Sequence, residues 1–293
     1  MPLGIDIGGT KIAFGEVENG KLIWKQQLST PQNKAKIIDI LIHIINNYDG
    51  DKIGIGIPGQ ALNGYIFFTP NIPLSNTNLI QILQKHTNKK VVIENDANAF
   101  LIAEYKWGSA QGHTSAIGIT LGTGIGGAIL INGKIWHGAH GAGAEFGHMS
   151  VIEDGPICNC GNRGCIEAVA SPHSIEKWVH EQINNGFPNT KNIYDMKEII
   201  ENRFSDQLSM LAYTRFVRFL GMAIANLVNI IDPEIVVFGG SAILSWEVWS
   251  NDVYSIFQRR VLPSLKGKIK WKKAKFLNNS GIVGAAAIAE VYS

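Results

Sequence analysis

Cysteine is scarce in this chain of 293 residues: there are three, all between positions 158 and 165. So few, and an odd number, exclude the disulfide framework of a small secreted domain. The most apolar stretch, "GITLGTGIGGAILI" at 118–131, is too short and too rich in glycine for a spanning helix. No leader is expected either, because "MPLGIDIGGTK" lacks both a basic start and a long apolar core. Charge of one sign is also missing, the formal net charge being +2. The one basic cluster, "KGKIKWKKAK" at 266–275, alternates like an exposed strand, so no nucleic-acid partner is expected. The expectation is a soluble cytoplasmic protein with no membrane partner. With 45% apolar residues it has enough to fill a core, and the length accommodates two packed lobes.

What is present is a repeated plan. "GIDIGGTKIAFGEVENGKLIW" at 4–24 and "GITLGTGIGGAILINGKIW" at 118–136 carry the same elements in the same order. Each is a strand, a glycine turn, a second strand, an Asn-Gly hairpin and a third strand. This reads as an internal duplication of two lobes. Between and after the copies, strands alternate with helices. A helix is expected over 34–48, a buried strand over 52–59, a short helix over 78–86, and a strand ending at Glu94-Asn95-Asp96 where a helix begins. Later come a helix over 174–184, a long one capped by Ser205, a strand "EIVVFGG" and a small-residue helix from about Gly281. The fold class is therefore α/β, with helix-covered sheets.

Three glycine turns follow buried strands: Gly8-Gly9-Thr10-Lys11, Gly122-Thr123-Gly124 and Gly239-Gly240-Ser241. Glycine lets backbone N–H groups approach an anion, and threonine adds a donor. One such turn is an ordinary bend, whereas three of them, two related by duplication, point to phosphate. None matches a Walker loop. Gly122 to Gly127 leads into a strand, unlike a dinucleotide-binding fingerprint. Lys11 is either a phosphate contact or a solvated strand residue.

The cysteines lie in "EFGHMSVIEDGPICNCGNRGCIE" at 145–167. His148, Cys158, Cys160 and Cys165 make a Cys₃His set, the composition of a closed, structural zinc site. Gly161 and Gly164 allow a tight knuckle, and a segment this polar does not suit three free core cysteines. A closed site leaves no position for an activated water, so the zinc would fix the loop carrying Glu145, His148 and Glu167. Carboxylates there accept hydrogen bonds from paired hydroxyls. Asp96, at a strand-to-helix junction, is by pattern alone equally a helix cap.

Strand-"DIGGTK"-strand, "GIPG", "ENDAN", "LGTGIGG", "GHx9CxCGxxGCxE" and "VVFGG", in that order, resemble the ROK family of bacterial sugar kinases over essentially the whole chain. The resemblance implies a two-lobed actin-like ATPase (ribonuclease H-like) fold with duplicated βββαβα units and a cleft. Residues 1–107 would form a small lobe to which a helix at 281–293 returns, and 108–280 a large lobe bearing the zinc knuckle. It implies ATP and Mg²⁺ as cofactors beside zinc, with Asp6 holding magnesium through water. Gly8, Gly9, Thr10, Lys11, Gly122, Thr123, Gly124, Gly239 and Gly240 would face the nucleotide. Asp96 would be the general base toward a sugar hydroxyl, with Asn95, Glu145, His148 and Glu167 contacting the sugar. Asn71 in "TPNIP" matches a sugar contact and is equally an ordinary turn residue. The zinc ligands implied are the same four.

Some family members are repressors with an added N-terminal DNA-binding domain, and no such domain is expected here. Members generally phosphorylate the C6 hydroxyl of hexoses. Glucose is the first expectation, with N-acetylhexosamine, mannose and fructose as alternatives, polyphosphate as an alternative donor, and a sugar sensor, a DNA-binding regulator or a zinc-knuckle interaction protein as different classes. Assembly as a homodimer or dimer of dimers is implied. One departure stands out: where relatives carry Ala-Gly before the pocket glutamate, this chain has Gly143-Ala144.

Overall fold

Three short strand-forming segments joined by a glycine turn and an Asn-Gly turn open the chain. In the computed structural model they form a meander of β1 (Leu3–Ile7), β2 (Lys11–Glu18) and β3 (Lys21–Ser29). Residues 1–188, 193–277 and 279–292 are described. Asn19 and Gly20 adopt φ of 50° and 80°, the left-handed pair that a two-residue hairpin turn requires. After α1 (Lys34–Asn46), capped by the Asn33 side chain, β4 (Lys52–Ile57) joins β1 in parallel. A separate small sheet, β5 (Gln60–Leu62), β6 (Tyr65–Phe68) and β7 (Thr77–Asn78), and the short α2 (Leu79–Leu83) precede β8 (Lys90–Asn95). β8 closes the first sheet in the order β3-β2-β1-β4-β8 and runs straight into α3 (Asp96–Trp107).

The plan then repeats. β9 (Ala116–Leu121), β10 (Ile125–Ile131) and β11 (Lys134–Ile135) form the second meander, with Asn132 and Gly133 at φ of 52° and 73° in its hairpin turn. The helices α4 (Ile166–Ala170), α5 (Pro172–Asn184), α6 (Met196–Asn202) and α7 (Gln207–Ile231) follow, then β12 (Ile235–Gly239), α8 (Trp246–Gln258), β13 (Lys270–Lys273) and α9 (Ser280–Tyr292). The second sheet is ordered β11-β10-β9-β12-β13, the same arrangement as the first. The duplication visible in two sequence segments thus extends to two whole sheets.

By packing, the chain divides into two units. One comprises residues 1–118, 128–144 and those from 274 onward; the other comprises 119–127 and 145–273. In the first unit, Ile37, Leu41, Ile44 and Ile45 of α1 share a buried cluster with Leu3, Ile5 and Ile7 of β1 and Ile53, Ile55 and Ile57 of β4. α9 also packs on β1 and β4. A side chain at Gly4 or Gly54 would run into the backbone of Ile282 or Ala285, and one at Gly284 would come within 3.0 Å of the Ala99 backbone in α3. The small-residue composition of α9 is thus explained by backbone-close packing on its neighbours. Glu104 of α3, fully buried, accepts the N–H groups of Ser109, Lys275 and Phe276, tying the segment before α9 to the end of α3.

In the second unit α7 is the core helix. It is long and apolar enough to cross a membrane by composition, but Leu208, Ala212, Phe216, Leu220, Ile224 and Val228 form a stripe buried within the unit. Phe216, Phe238, Trp246, Trp249 and Trp271 make an aromatic cluster with centroid spacings of 4.7–5.9 Å. Asp206, one residue beyond the expected Ser205, caps α7 by accepting the Ser209 N–H at 2.8 Å. α5 starts at Pro172 under the Ser171 cap, two residues before the expected Ser174.

Candidate functional site

The cysteine loop is built by its glycines. Gly161 and Gly164 have φ of 92° and 69°, the left-handed region that side chains disfavour. A side chain on Gly164 would strike the Ile152 backbone. The Cys158 N–H donates to Asn162 O at 2.8 Å and the Gly161 N–H to Cys158 O at 2.9 Å, folding the knuckle so that its sulfurs converge. Cys160 and Cys165 Sγ lie 3.7 Å apart, and Cys158 Sγ lies 3.6 Å from His148 Nδ1. All four candidate ligand atoms fall within 4.8 Å of one another. Tetrahedral zinc with Zn–S near 2.3 Å and Zn–N near 2.05 Å would place ligand atoms about 3.8 Å (S–S) and about 3.6 Å (S–N) apart. The donor set fits zinc in composition, and the Cys160–Cys165 and Cys158–His148 pairs already stand at the spacing zinc would impose. Without a cation, burial pushes Cys165 up to about 12 and raises Cys158, while the Asn162 backbone N–H lowers Cys160.

Because His148 turns Nδ1 to the sulfurs, its Nε2 faces Glu145 Oε2 at 3.9 Å. Burial raises the Glu145 pKa, with His148 opposing and Glu167 adding to the shift. Glu167, in the first turn of α4, accepts the Ile125 N–H at 3.0 Å. A side chain on Gly124 would overlap that carboxylate. The loop acids and the second glycine turn are therefore one cluster. The third turn joins it: Gly240, φ 83°, packs on the Leu121 backbone, and Ser241 Oγ lies 3.7 Å from where a Gly122 side chain would begin. A cavity of about 520 Å³ opens beside it, lined among others by Thr123, Cys158, Glu167, His173, Lys177 and Arg215. The Arg215 Nε–H donates to Val169 O at 3.1 Å, with the Trp178 and Phe219 rings 5.7 and 5.4 Å from its guanidinium. Sequence reasoning passed over Arg215, which on a helical pattern is one more surface charge.

The first unit holds the other candidates. Gly8 N–H donates to Lys11 O at 2.9 Å, and Thr30 Oγ1–H donates to Gly8 O at 2.6 Å, while the Thr30 N–H donates to Thr10 O. Thr10 and Lys11 are exposed. Gly9 abuts Asn71, whose Cβ would lie 2.9 Å from an added side chain, so a turn glycine and a candidate sugar residue meet. Asp6, one residue before the end of β1, lies against Gly281 of α9. Burial raises its pKa, partly offset by Lys11 and Lys25. Asn95 is committed to the backbone: Oδ1 accepts the N–H groups of Ala97 and Asn98 at 2.8 and 3.1 Å, and Nδ2 donates to Gly59 O at 2.6 Å. It caps α3. Asp96 is exposed in the first turn, its Oδ1 accepting the Ala97 N–H at 2.9 Å.

The inverted Gly143-Ala144 pair has a backbone consequence. An added Gly143 side chain would sit 2.6 Å from His137 C and Trp136 O, so glycine is required there, and Ala144 takes φ 66°. The left-handed conformation costs a side-chain-bearing residue about 1–2 kcal/mol.

Two sheets of identical order, each carrying a glycine turn after its first strand, define an actin-like ATPase fold. The chain belongs to the ROK family, whose model matches residues 2–291. It is 34% identical to a glucokinase of Thermotoga maritima, over 98% of this chain and 96% of that protein. It is 31% identical to an N-acetyl-D-glucosamine kinase of Photobacterium profundum, over 98% of each. A ROK glucokinase from Streptomyces griseus, solved with glucose and AMPPNP, superposes with a TM-score of 0.80 at 30% identity, over 99% of both chains.

Proposed function

We propose that this protein is an ATP-dependent hexokinase that phosphorylates the C6 hydroxyl of a hexose, glucose first. The observation that carries this reading is the cluster of Glu145, His148 and Glu167 built directly against the Gly122–Gly124 turn. Hydroxyl-accepting carboxylates and a phosphate-type turn are thereby held in one place, as a phosphoryl transfer from nucleotide to sugar requires. Such a reaction asks little covalent chemistry of the protein. Alignment and neutralisation of phosphate charge supply most of the rate.

Asp96, exposed at the start of α3, takes the hydroxyl proton as the oxygen attacks the γ-phosphate. Its backbone is fixed by the Asn95 cap, whose side chain keeps one Nδ2–H for a sugar hydroxyl. Glu145, the Nε2 edge of His148, and Glu167 receive the sugar, with Asn71 as a further contact. Gly8, Gly9, Thr10, Lys11, Gly122, Thr123, Gly124, Gly239 and Gly240 face the nucleotide, and the cavity beside Thr123 accommodates its nucleoside. Mg²⁺, when bound, would neutralise phosphate charge, and Asp6 is the residue that would hold it. Zinc on His148 Nδ1, Cys158, Cys160 and Cys165 holds the ligand loop rigid and leaves His148 Nε2 turned to the sugar. The enzyme acts in the cytoplasm as a homodimer or dimer of dimers.

Phosphorus NMR of the product tests the reading. A glucose 6-phosphate signal that appears only with Mg·ATP is expected. Phosphate on another position, or none on any hexose, contradicts it. N-acetylhexosamine is the second reading, favoured by the 31% identity to an N-acetyl-D-glucosamine kinase.

A further inference from the structure

Glu94 is 5% exposed, and its two oxygens are engaged from three directions. Oε1 accepts the Asn95 backbone N–H at 2.8 Å and the Asn98 side-chain amide at 2.9 Å. Oε2 meets His137 Nε2 at 2.6 Å. The Tyr292 phenol of α9 also feels this carboxylate: burial raises the Tyr292 pKa, and the charge of Glu94 adds to the shift. The bond to Glu94 raises the His137 pKa against the opposing effect of burial.

His137 is itself held by its backbone. The Gly143 N–H donates to His137 O at 2.8 Å, closing the loop 137–143, and two residues earlier the Ile135 N–H donates to the Tyr292 hydroxyl at 3.4 Å. The imidazole is therefore a fixed donor presented to a buried carboxylate. That carboxylate cannot pivot without stranding a buried donor. Asn95, whose peptide it fixes, caps α3, and Asp96 lies between Asn95 and Asn98, the two residues bonded to Oε1.

We propose that His137 and Glu94 form a positioning pair for Asp96: the His137 Nε2–H orients Glu94, and Glu94 in turn sets the Asn95 peptide and the Asn98 side chain that bracket Asp96. The pair touches neither sugar nor nucleotide, and it rests on Asp96 as the base. Misplacing a reacting group by ~1 Å costs up to ~100-fold in rate, so a loosened Glu94 acts on kcat more than on substrate affinity.

The test compares His137→Ala with His137→Gln, which keeps an N–H donor, by steady-state kinetics and by amide exchange across residues 94–98 in the substrate-free protein. The Ala variant is expected to lose about tenfold or more in kcat with sugar KM within about twofold, and to exchange faster over 94–98. The Gln variant is expected to stay near wild type in both. Unchanged kcat and exchange in His137→Ala overturn the proposal, as does equal damage in both variants, the pattern of a residue that merely packs. Asp96→Asn, assayed beside them, separates the two levels. Full turnover in that variant means the base reading has failed, and the exchange comparison then decides on the pair alone.

Discussion

Replacing Gly281 by alanine puts the proposed role of Asp6 to a quantitative test. An added side chain would overlap the Asp6 carboxylate outright and lie 3.0 Å even from the Asp6 Cβ. Carbon contacts are comfortable at about 3.5–4.0 Å, so the carboxylate must move by on the order of 1 Å or swing to another rotamer. Overpacking of this kind costs about 1–3 kcal/mol, while Gly→Ala within a helix returns about 1 kcal/mol. The net change in stability is therefore small, no more than about 2 kcal/mol of loss. The change in function is not small if Asp6 holds Mg²⁺ through water. A displacement of ~1 Å is expected to cost ~10- to 100-fold in kcat and to raise the Mg²⁺ concentration needed for half-maximal rate. The assay is ADP release as a function of Mg²⁺ at saturating sugar and ATP, with thermal melts alongside. A folded Gly281→Ala protein with wild-type rate and wild-type Mg²⁺ dependence would refute the assignment of Asp6.

Three other outcomes are expected. Asp96→Asn keeps sugar affinity by calorimetry and loses ~10²–10⁴-fold in turnover; a near-wild-type rate removes Asp96 as the base. Cys160→Ser, or chelation, releases zinc and weakens sugar binding more than nucleotide binding. Because burial holds Cys165 at about 12 and raises Cys158 without metal, zinc uptake near pH 7 releases protons, which buffer-dependent calorimetry reads; uptake with no proton release contradicts the ligand set. Ala144→Gly relieves about 1–2 kcal/mol of left-handed strain, less about 0.4–1 kcal/mol for the freer unfolded chain, so the melting temperature rises slightly; a fall argues that the buried methyl group of Ala144 outweighs the strain.

Much of this was legible in the sequence because the signals are local. The two Asn-Gly hairpins require left-handed residues and show them. The Cys₃His spacing requires a knuckle, and the four ligand atoms converge to within 4.8 Å of one another, with Cys160 and Cys165 Sγ 3.7 Å apart. The repeated strand-turn-strand segments foretold the shared sheet order, since meander registers follow from hairpin turns. Long-range pairings were not legible. Glu94 reads as one letter of "ENDAN", and nothing in the loop 136–144 indicates that His137 folds back onto it. Gly281 reads as a helix residue of small volume until β1 places Asp6 against it. Asn95 was expected to serve the sugar. Its side chain also caps the helix it precedes, because the N–H groups of Ala97 and Asn98 need an acceptor, and one Nδ2–H is left beside its bond to Gly59 O for a hydroxyl. α6, with seven residues, is too short to carry a long apolar stripe, whereas α8 does carry one, with Trp249, Val253 and Phe257 at four-residue spacing, and it was legible but passed over.

The central claim is that this protein transfers the γ-phosphate of ATP to a hexose. The most direct measurement is ADP release with Mg·ATP over glucose, mannose, fructose, N-acetylglucosamine and N-acetylmannosamine, using zinc-loaded wild type and Asp96→Asn in parallel. Turnover on glucose above the others, abolished in the variant, is the predicted result. A folded, zinc-loaded protein that releases no ADP with any of the five contradicts the account.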